Sequence, residues 1–150
     1  MRRFIYACLV LSTFAWGEQS VTLGVDHFFQ GAHIKHLQGK NVGLISNHTG
    51  VNKDLVSTYA LLKKYAPSCY TVKALFSPEH GWTGSAYAWE KVSSKKSGEV
   101  ALYSLHGKTR RPTSAMLEGL DVLIFDIQDV GVRPYTYITT LFYAMEEASR

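Results

Sequence analysis

The sequence predicts an α/β domain whose sheet is mainly parallel and flanked by helices. Short apolar runs that suit buried strands alternate along the chain with segments whose apolar residues repeat at helical spacing. Of the 150 residues, 46% are hydrophobic and 19% are charged, a balance that supports a packed core and excludes a disordered or fibrous chain. The length is that of a single small domain.

The first segment has the pattern of an export signal. Arg2 and Arg3 precede an apolar run over residues 4–16, which is shorter than the roughly 20 residues needed to cross a bilayer, and small residues follow at the two positions that signal peptidase reads. A buried N-terminal helix is the alternative. We expect residues 1–17 to be a signal peptide, residues 18–150 to form the domain, and the protein to be periplasmic or extracellular without a stable membrane anchor.

The charge of the chain argues against nucleic acid as a partner. The chain has 16 basic and 12 acidic residues, a formal net charge of +4. Loss of Arg2 and Arg3 with the signal lowers the basic count from 16 to 14 and the net charge to +2. That excess is too small for an electrostatic footprint on a phosphate backbone, so we expect no nucleic-acid partner.

Four apolar runs predict the strands of the sheet. Each is bounded by polar or turn-forming residues, and the last is the most strongly apolar. The predicted strands cover residues 41–46, 71–76, 100–105 and 121–127. Because helical segments separate most of them, the strands are expected to run mainly parallel.

Two helices are predicted before the second strand. Parts of residues 25–37 have helical spacing, with Gly31 as an interruption. The next helix is predicted from Leu55 to about residue 66, with Asp54 as its N-cap and Pro67 at its end. Its expected buried face consists of Leu55, Tyr59, Leu62 and Ala66.

Two further helices are predicted in the second half of the chain. A short one opens at Pro112 and Thr113 and extends to about Leu120. The final one is amphipathic, and its apolar residues repeat at three- and four-residue spacing. Its expected buried face consists of Ile138, Leu141, Phe142 and Met145.

Polar clusters directly follow three of the predicted strands. Ligands of open parallel sheets bind in the crevice beyond the carboxyl ends of the strands. Neighbouring strands lie roughly 4.8 Å apart, so clusters at these ends are expected to converge on one pocket. The candidate side chains are Asn47, His48, Glu79, His80, Asp126, Gln128, Asp129, Arg133 and Tyr135.

Carboxylate chemistry is the reaction type that these side chains favour. No G-x-G-x-x-G or Walker loop follows a strand, no G-x-S-x-G elbow occurs, and no H-E-x-x-H spacing is present. We therefore expect neither a cofactor nor a metal, and we expect Glu79 to face Asp126 or Asp129 across a cleft as a pair of carboxylates. A hard or borderline cation held by His48, Glu79, His80, Asp126 and Asp129 is the alternative. Which aspartate assists is left open. Turn residues, or an Asp129–Arg133 ion pair with a purely structural role, are the alternatives.

The long connection over residues 77–97 carries aromatic side chains that suit a sugar ligand. Connections of this length in a compact domain tend to be functional. Trp82, Tyr87 and Trp89 offer flat faces on which sugar rings stack, and packing of the loop is the alternative role for them.

Four motifs stand in a fixed order along the chain. They are Gly43-Leu-Ile-Ser-Asn-His-Thr-Gly50, Phe76-Ser-Pro-Glu-His-Gly81, Tyr103-Ser-Leu-His-Gly107, and Asp126-Ile-Gln-Asp-Val-Gly131 with Arg133-Pro-Tyr-Thr-Tyr137. In this order, over about residues 24–150, they resemble the motifs of the exo-β-N-acetylmuramidases, exported bacterial peptidoglycan hydrolases long catalogued as a domain of unknown function. One departure is His106, which stands where tyrosine is common in that family.

The resemblance implies a Rossmann-like N-terminal domain, which the family follows with a C-terminal domain. The chain ends at Arg150 in or just after a helix, so we expect an incomplete N-terminal part without the C-terminal domain. In the family, N-acetylmuramic acid would be released from the non-reducing end of peptidoglycan fragments in the cleft between the two domains. The resemblance implies that Glu79 is the acid/base.

The substrate expected from the resemblance is a peptidoglycan-derived muramyl saccharide. A saccharide-binding or degenerate fragment without activity and a metal-dependent hydrolase are the alternative functions. The residues expected to bind the saccharide are Asn47, His48, His80, Gln128, Arg133, Tyr135 and Tyr137.

Overall fold

A computed structural model describes residues 21–66, 69–88, 90, 95–97 and 100–150 of the chain. Within these ranges five strands form one sheet in the order β3-β4-β2-β1-β5. The strands are β1 (Asn41–Ser46), β2 (Thr71–Ser77), β3 (Lys95–Ser97), β4 (Val100–Ser104) and β5 (Val122–Asp126).

The sheet is parallel across four of its strands. β1 pairs in parallel with both β2 and β5, β2 pairs in parallel with β4, and β3 is antiparallel to β4 at one edge. The central strand β1 is almost fully buried, as a parallel strand covered on both faces must be. The predicted α/β fold is confirmed, and the short strand β3 is the addition that the sequence pattern did not predict.

Helices lie along the sheet between the strands, as predicted. Gly31 does separate the first helical segment into an α-helix and a 3₁₀ helix. The helical segments are α1 (Gly24–Gln30), the 3₁₀ helix Ala32–Leu37, α2 (Thr58–Tyr65), the single-turn α3 (Ser114–Leu117) and α4 (Tyr137–Ala148).

The predicted start of α2 is wrong by three residues. The side chain of Asn52 accepts hydrogen bonds from the backbone N–H groups of Asp54 (3.1 Å) and Val56 (2.8 Å), which folds this stretch into a turn. Leu55 is left-handed in that turn, with φ 59°, and therefore cannot belong to the helix. The turn chemistry of Asn52 prevails over the helical spacing that begins at Leu55.

Ser57, and not Asp54, is the N-cap of α2. Its side chain accepts a hydrogen bond from Ala60 N–H (3.2 Å). The buried face consists of Thr58, Leu61 and Leu62, with Tyr59 and Ala66 packed partly buried against the same core. Pro67, the predicted end of the helix, lies outside the described residues.

Two hydrophobic cores lie on opposite faces of the sheet. Val42 and Leu44 point into the core beneath α1 and α2, and Ile45 points into the one beneath α3 and α4. This alternation follows from the period of two along a strand. A sheet covered by helices on both faces is the Rossmann-like arrangement.

The helix α4 is confirmed, but the predicted orientation of its apolar face is wrong. Ile138, Phe142 and Met145 are 62%, 57% and 63% exposed. The side that meets the sheet contains Tyr137, Thr140 and Ala144. The small Ala144 permits close approach to the sheet, and Thr140 satisfies its hydroxyl on the Thr136 carbonyl (3.3 Å). The stripe of α4 that packs against the sheet is therefore the less apolar one, and the more apolar stripe is exposed.

The predicted signal peptide, residues 1–17, lies outside the described residues. Over the ranges that the structure describes, no helix has the length and hydrophobicity required to cross a membrane.

Candidate active site

The carboxylate of Glu79 is buried in a tight turn at the carboxyl end of β2. The residue is 8% exposed. His80 and Gly81 follow it with left-handed φ angles of 67° and 77°. For a non-glycine residue such a conformation costs on the order of 1–3 kcal/mol, and such strained positions cluster at functional sites.

Hydrogen bonds hold this strained turn in place. His80 Nδ1 donates to the carbonyl oxygen of Ala86 (2.8 Å), and Ala86 N–H donates to the carbonyl of His80 (3.2 Å). Gly81 N–H donates to the carbonyl of Pro78 (3.1 Å). The turn therefore fixes the backbone on which Glu79 stands.

Two side chains from other elements meet the two oxygens of Glu79. Thr136 Oγ1 donates a hydrogen bond to Oε2 (2.7 Å), and His106 Nε2 lies 3.5 Å from Oε1. Thr136 is the N-cap of α4, and its hydroxyl bonds to Glu79 and not to the helix backbone. The carboxylate thus lies at the positive end of a helix dipole.

His106 is a buried histidine in the segment that follows β4. Its side chain is 3% exposed, and Nε2 makes no hydrogen bond within the described part of the chain. Burial lowers the pKa of His106 below its usual 6.5, and the Glu79 carboxylate acts in the opposite direction. Arg110 and His80 add to the lowering.

Tyr137 interacts with side chains that follow three strands: Asn47 after β1, Glu79 after β2 and Asp129 after β5. It is 8% exposed, and burial raises the pKa of its hydroxyl. The negative charges of Glu79 and Asp129 also raise this pKa, while the Asn47 side chain next to the hydroxyl lowers it. Side chains that follow β1, β2 and β5 therefore lie within electrostatic range of the Tyr137 hydroxyl.

Asn47 carries one of the unpaired polar atoms of this cluster. Its Oδ1 accepts hydrogen bonds from Thr49 N–H (2.9 Å) and Thr49 Oγ1 (2.6 Å), which fixes the turn after β1. Its Nδ2 is buried beside the Tyr137 hydroxyl, but among the described residues it makes no hydrogen bond of good geometry. A buried donor of this kind is costly unless a ligand or water completes it.

The two candidate aspartates face different partners. Asp126 accepts a hydrogen bond from Thr58 Oγ1 on its Oδ2, and its backbone carbonyl accepts one from Ser46 Oγ (2.7 Å). Asp129 accepts from Gly131 N–H on Oδ1 (2.7 Å), while its Oδ2 is buried and accepts nothing from the described residues. Asp126 therefore braces the start of α2, and Asp129 retains an unused oxygen near Tyr137.

The other predicted binding residues, which we call the rim residues, are exposed side chains of the segments that follow β1 and β5. His48 is exposed. Its ring packs so closely against Gly84 that a Cβ added to Gly84 would lie 2.1 Å from His48 Nδ1. Gln128 N–H donates to Thr49 Oγ1 (2.9 Å), which joins the turns after β1 and β5. Arg133 and Tyr135 are exposed, and among the described residues Arg133 forms no ion pair with Asp129.

The aromatic residues of the long connection do not all face solvent. Trp82 packs edge-on against Tyr59 of α2, with ring centroids 6.0 Å apart, and belongs to the core. Tyr87 is 84% exposed. Trp89 lies outside the described residues. For Trp82 the alternative role of loop packing is the one found.

The cluster around Glu79 coincides neither with a group of metal-ligating side chains in the described ranges nor with the groove beside α1. Within the described ranges no group of three or more histidine, cysteine or acidic side chains is arranged to hold a metal ion. A groove of about 350 Å³ lies beside α1, lined by apolar residues together with Thr49, Asp126 and Gln128, and Glu79 is not part of it. The buried polar atoms locate the site better than this groove does.

Sequence reasoning missed two residues that touch Glu79. Both lie inside the motifs of the sequence, His106 in Tyr103–Gly107 and Thr136 in Arg133–Tyr137. His106 follows β4 as directly as Glu79 follows β2, so the rule of carboxyl strand ends could have found it. Thr136 had no such signal, because a threonine before a helix is ordinarily read as a cap.

The fold and the cluster together define a Rossmann-like α/β domain with a buried carboxylate at the carboxyl edge of its sheet. The sequence model described as the N-terminal domain of the exo-beta-N-acetylmuramidase NamZ matches residues 42–150, and the chain belongs to this family.

Similar proteins of known name or structure agree with this assignment. A peptidoglycan beta-N-acetylmuramidase NamZ from Bacillus subtilis (strain 168) is 51% identical over 85% of the chain. Two DUF1343 family proteins from Bacteroides fragilis NCTC 9343 have crystal structures that each align over 85% of the chain, with 43% identity and TM-score 0.72, and with 30% identity and TM-score 0.64. The chain spans about a third (31%) of the length of each of these proteins.

Proposed function

We propose that this chain is the Glu79-bearing part of an exo-β-N-acetylmuramidase that releases N-acetylmuramic acid from the non-reducing end of peptidoglycan fragments. The observation that carries the proposal is the buried Glu79 carboxylate, held between Thr136 Oγ1 (2.7 Å) and His106 Nε2 (3.5 Å). The name of the 51% identical Bacillus subtilis protein supplies the substrate class.

Glu79 acts as the acid/base of the reaction. Cleavage of a glycosidic bond needs a carboxyl group that donates a proton to the leaving oxygen. A rigid, buried carboxyl group suits this task because its geometry is set before the substrate binds. Thr136 donates to Oε2, and His106 Nε2 lies beside Oε1.

Asp129 is the better candidate for the assisting carboxylate. Asp126 is engaged by Thr58 Oγ1, so its carboxylate has a structural partner already. Asp129 Oδ2 is buried and accepts no hydrogen bond from the described residues, and its charge is felt at Tyr137 beside Glu79. An unsatisfied buried carboxylate oxygen is a ready acceptor for a water molecule or a sugar hydroxyl.

The saccharide lies over the rim residues. Asn47 Nδ2 supplies a buried donor, and the Tyr137 hydroxyl lies next to it. Arg133 is an exposed cation, and guanidinium groups bind carboxylates in two parallel hydrogen bonds, which suits the lactyl carboxylate of a muramyl sugar. His48, His80, Gln128 and Tyr135 complete the contacts.

The protein acts outside the cytoplasm, in the periplasm or the extracellular space. The pattern of residues 1–17 supports this part of the proposal, with residues 18–150 as the domain that remains after cleavage. A C-terminal domain of the full-length protein completes the cleft. Mass spectrometry of the exported protein tests the location, and a retained Met1 contradicts it.

The experiment that tests the function compares two chromogenic substrates on the full-length protein. We expect turnover of an N-acetylmuramide and at least tenfold lower kcat/KM on the matching N-acetylglucosaminide, which lacks the lactyl group. Binding of the muramide without turnover favours a saccharide-binding role. Activity that EDTA abolishes and a divalent cation restores favours a metal-dependent hydrolase. Either result contradicts the proposal.

A further inference from the structure

We propose that His106 is a positioning residue for Glu79, so that the imidazole and the carboxyl group titrate as a coupled pair. The geometry that supports this is the 3.5 Å approach of His106 Nε2 to Glu79 Oε1, with side chains only 3% and 10% exposed. The pairing itself is a property of the folded chain. Its consequence for catalysis rests on the proposed muramidase function.

The backbone holds His106 rigidly over the end of β2. Leu105 N–H donates to the carbonyl of Ser77 (2.8 Å), which continues the pairing of β4 with β2 beyond the strand. His106 N–H donates to Ser104 Oγ (3.1 Å). Because Ser77 lies two residues before Glu79, the same stretch of β2 supports both members of the pair.

His106 Nε2 is an unsatisfied buried nitrogen directed at a single anion. Among the described residues no hydrogen bond satisfies it. A buried polar atom without a partner costs free energy of folding. The titratable groups around the imidazole are Glu79, Arg110 and His80, of which Glu79 alone is acidic. The nearest partner for a proton on Nε2 is therefore Glu79 Oε1.

The carboxyl group is held from both sides as a result. Thr136 restrains Oε2 by a hydrogen bond of 2.7 Å, and His106 faces Oε1. Rotation of the carboxyl plane would break the first contact and bring Oε2 against the imidazole. His106 thus keeps Oε1 of the carboxyl group in one orientation.

The pairing is tested by histidine NMR titration of the full-length protein, before any assay of activity. In Glu79→Gln the midpoint of the His106 titration is expected to fall by about one pH unit, because the protonated imidazole loses its anionic partner. Glu118→Gln removes an exposed carboxylate and is the matched control, with no change expected. An unchanged or raised midpoint in Glu79→Gln overturns the proposal.

The positioning role is tested by kinetics of His106 variants on a chromogenic muramide. His106→Gln retains a polar N–H near the position of Nε2, whereas His106→Phe retains only the bulk. We expect kcat to fall about tenfold or more in His106→Phe, with partial rescue in His106→Gln, little change in KM, and a displaced acid limb of the pH profile in both. His33→Gln, which changes an exposed histidine of the 3₁₀ helix, is the control.

The two experiments separate failure of this proposal from failure of the proposed function. Coupled titration with wild-type kcat and pH profile in His106→Gln and His106→Phe overturns the positioning role. A wild-type protein that does not hydrolyse the muramide contradicts the muramidase function, and the NMR titration then still decides whether the pair exists.

Discussion

Gly50 permits the close approach of the turn after β1 to the end of β5. A Cβ added to it would lie 2.2 Å from Ser46 Oγ and 2.6 Å from the Asp126 carbonyl oxygen. The Asp126 contact is with backbone, which cannot swing away. The turn that carries Asn47 and the turn that carries Asp129 are therefore held together at a position where no side chain fits.

Gly50→Ala is expected to lower the free energy of unfolding by about 1–3 kcal/mol, the usual cost of overpacking. Gly24→Ala is the matched control, because a Cβ there meets nothing within 4 Å. We expect the control to leave stability unchanged or to raise it by up to about 1 kcal/mol, because Gly24 is the first residue of α1 and alanine is the better helix former. Urea unfolding measures both, and equal costs at the two positions would contradict the account of this contact.

The pKa of His106 gives a pH dependence of stability that one substitution removes. Burial lowers the pKa of this imidazole in the folded chain below 6.5, the ordinary value in an unfolded chain. Below pH about 6.5 the unfolded state therefore binds more protons, and stability falls as the pH falls towards the folded-state pKa. His106→Gln loses less stability than wild type between pH about 7.5 and 5. Parallel curves from urea unfolding would show that the imidazole does not titrate in this way.

The position of a polar side chain was predictable where it follows a strand. Glu79 and Asn47 stand directly after apolar runs, and both are buried at the carboxyl edge of the sheet, as the rule of carboxyl strand ends predicts. The choice between Asp126 and Asp129 could not be made, because spacing does not say which carboxylate meets the hydroxyl of Thr58, 68 residues away in sequence. Local sequence patterns do not predict long-range hydrogen bonds of this kind.

The turn before α2 contains backbone strain at the exposed residue Leu55. Leu55 has φ 59° and is 81% exposed, so it has a left-handed backbone with little packing in return. Leu55→Asn is expected to stabilise the chain by about 0.5–1 kcal/mol, because asparagine tolerates this conformation better than leucine. Thermal and urea unfolding measure the gain.

Leu55→Ala provides the control for this substitution. Alanine keeps the β-carbon that causes the left-handed strain, so we expect little of the gain that asparagine gives. Equal stabilisation by alanine and asparagine would mean that loss of an exposed apolar side chain, and not relief of strain, accounts for the effect.

Elements were predicted better than their orientations. All four parallel strands and α4 follow from apolar periodicity, while β3 was missed because three residues give no readable period. The face of α4 was assigned to the wrong side because the helix carries two stripes that suit burial. The stripe that meets the sheet contains the small Ala144 and the hydroxyl of Thr140, which bonds to the Thr136 carbonyl, and a hydrophobic pattern accounts for neither.

The helix α4 presents an apolar surface to solvent. Ile138, Phe142 and Met145 are each more than half exposed, and large exposed apolar patches promote association. Residues 18–150 on their own are therefore expected to self-associate. Phe142→Glu is expected to reduce the association, whereas Leu55→Lys, which changes an exposed leucine before α2, is not.

Analytical ultracentrifugation distinguishes these outcomes. A monomeric wild-type segment would contradict the role of the α4 surface, and so would association that Phe142→Glu leaves unchanged. Circular dichroism of each variant checks that helicity is retained.

The central claim is that Glu79 donates the proton to the leaving oxygen. Its most direct test is the kcat of Glu79→Gln in the full-length protein, measured on muramides with a poor and with a good leaving group. Glutamine keeps the size and hydrogen bonding of the side chain but has no proton to donate. We expect kcat on the poor leaving group to fall by about 10²-fold or more, with much less loss on the good one and with KM retained. Near-wild-type kcat on the poor leaving group would contradict the claim and make Glu79 an ordinary turn residue.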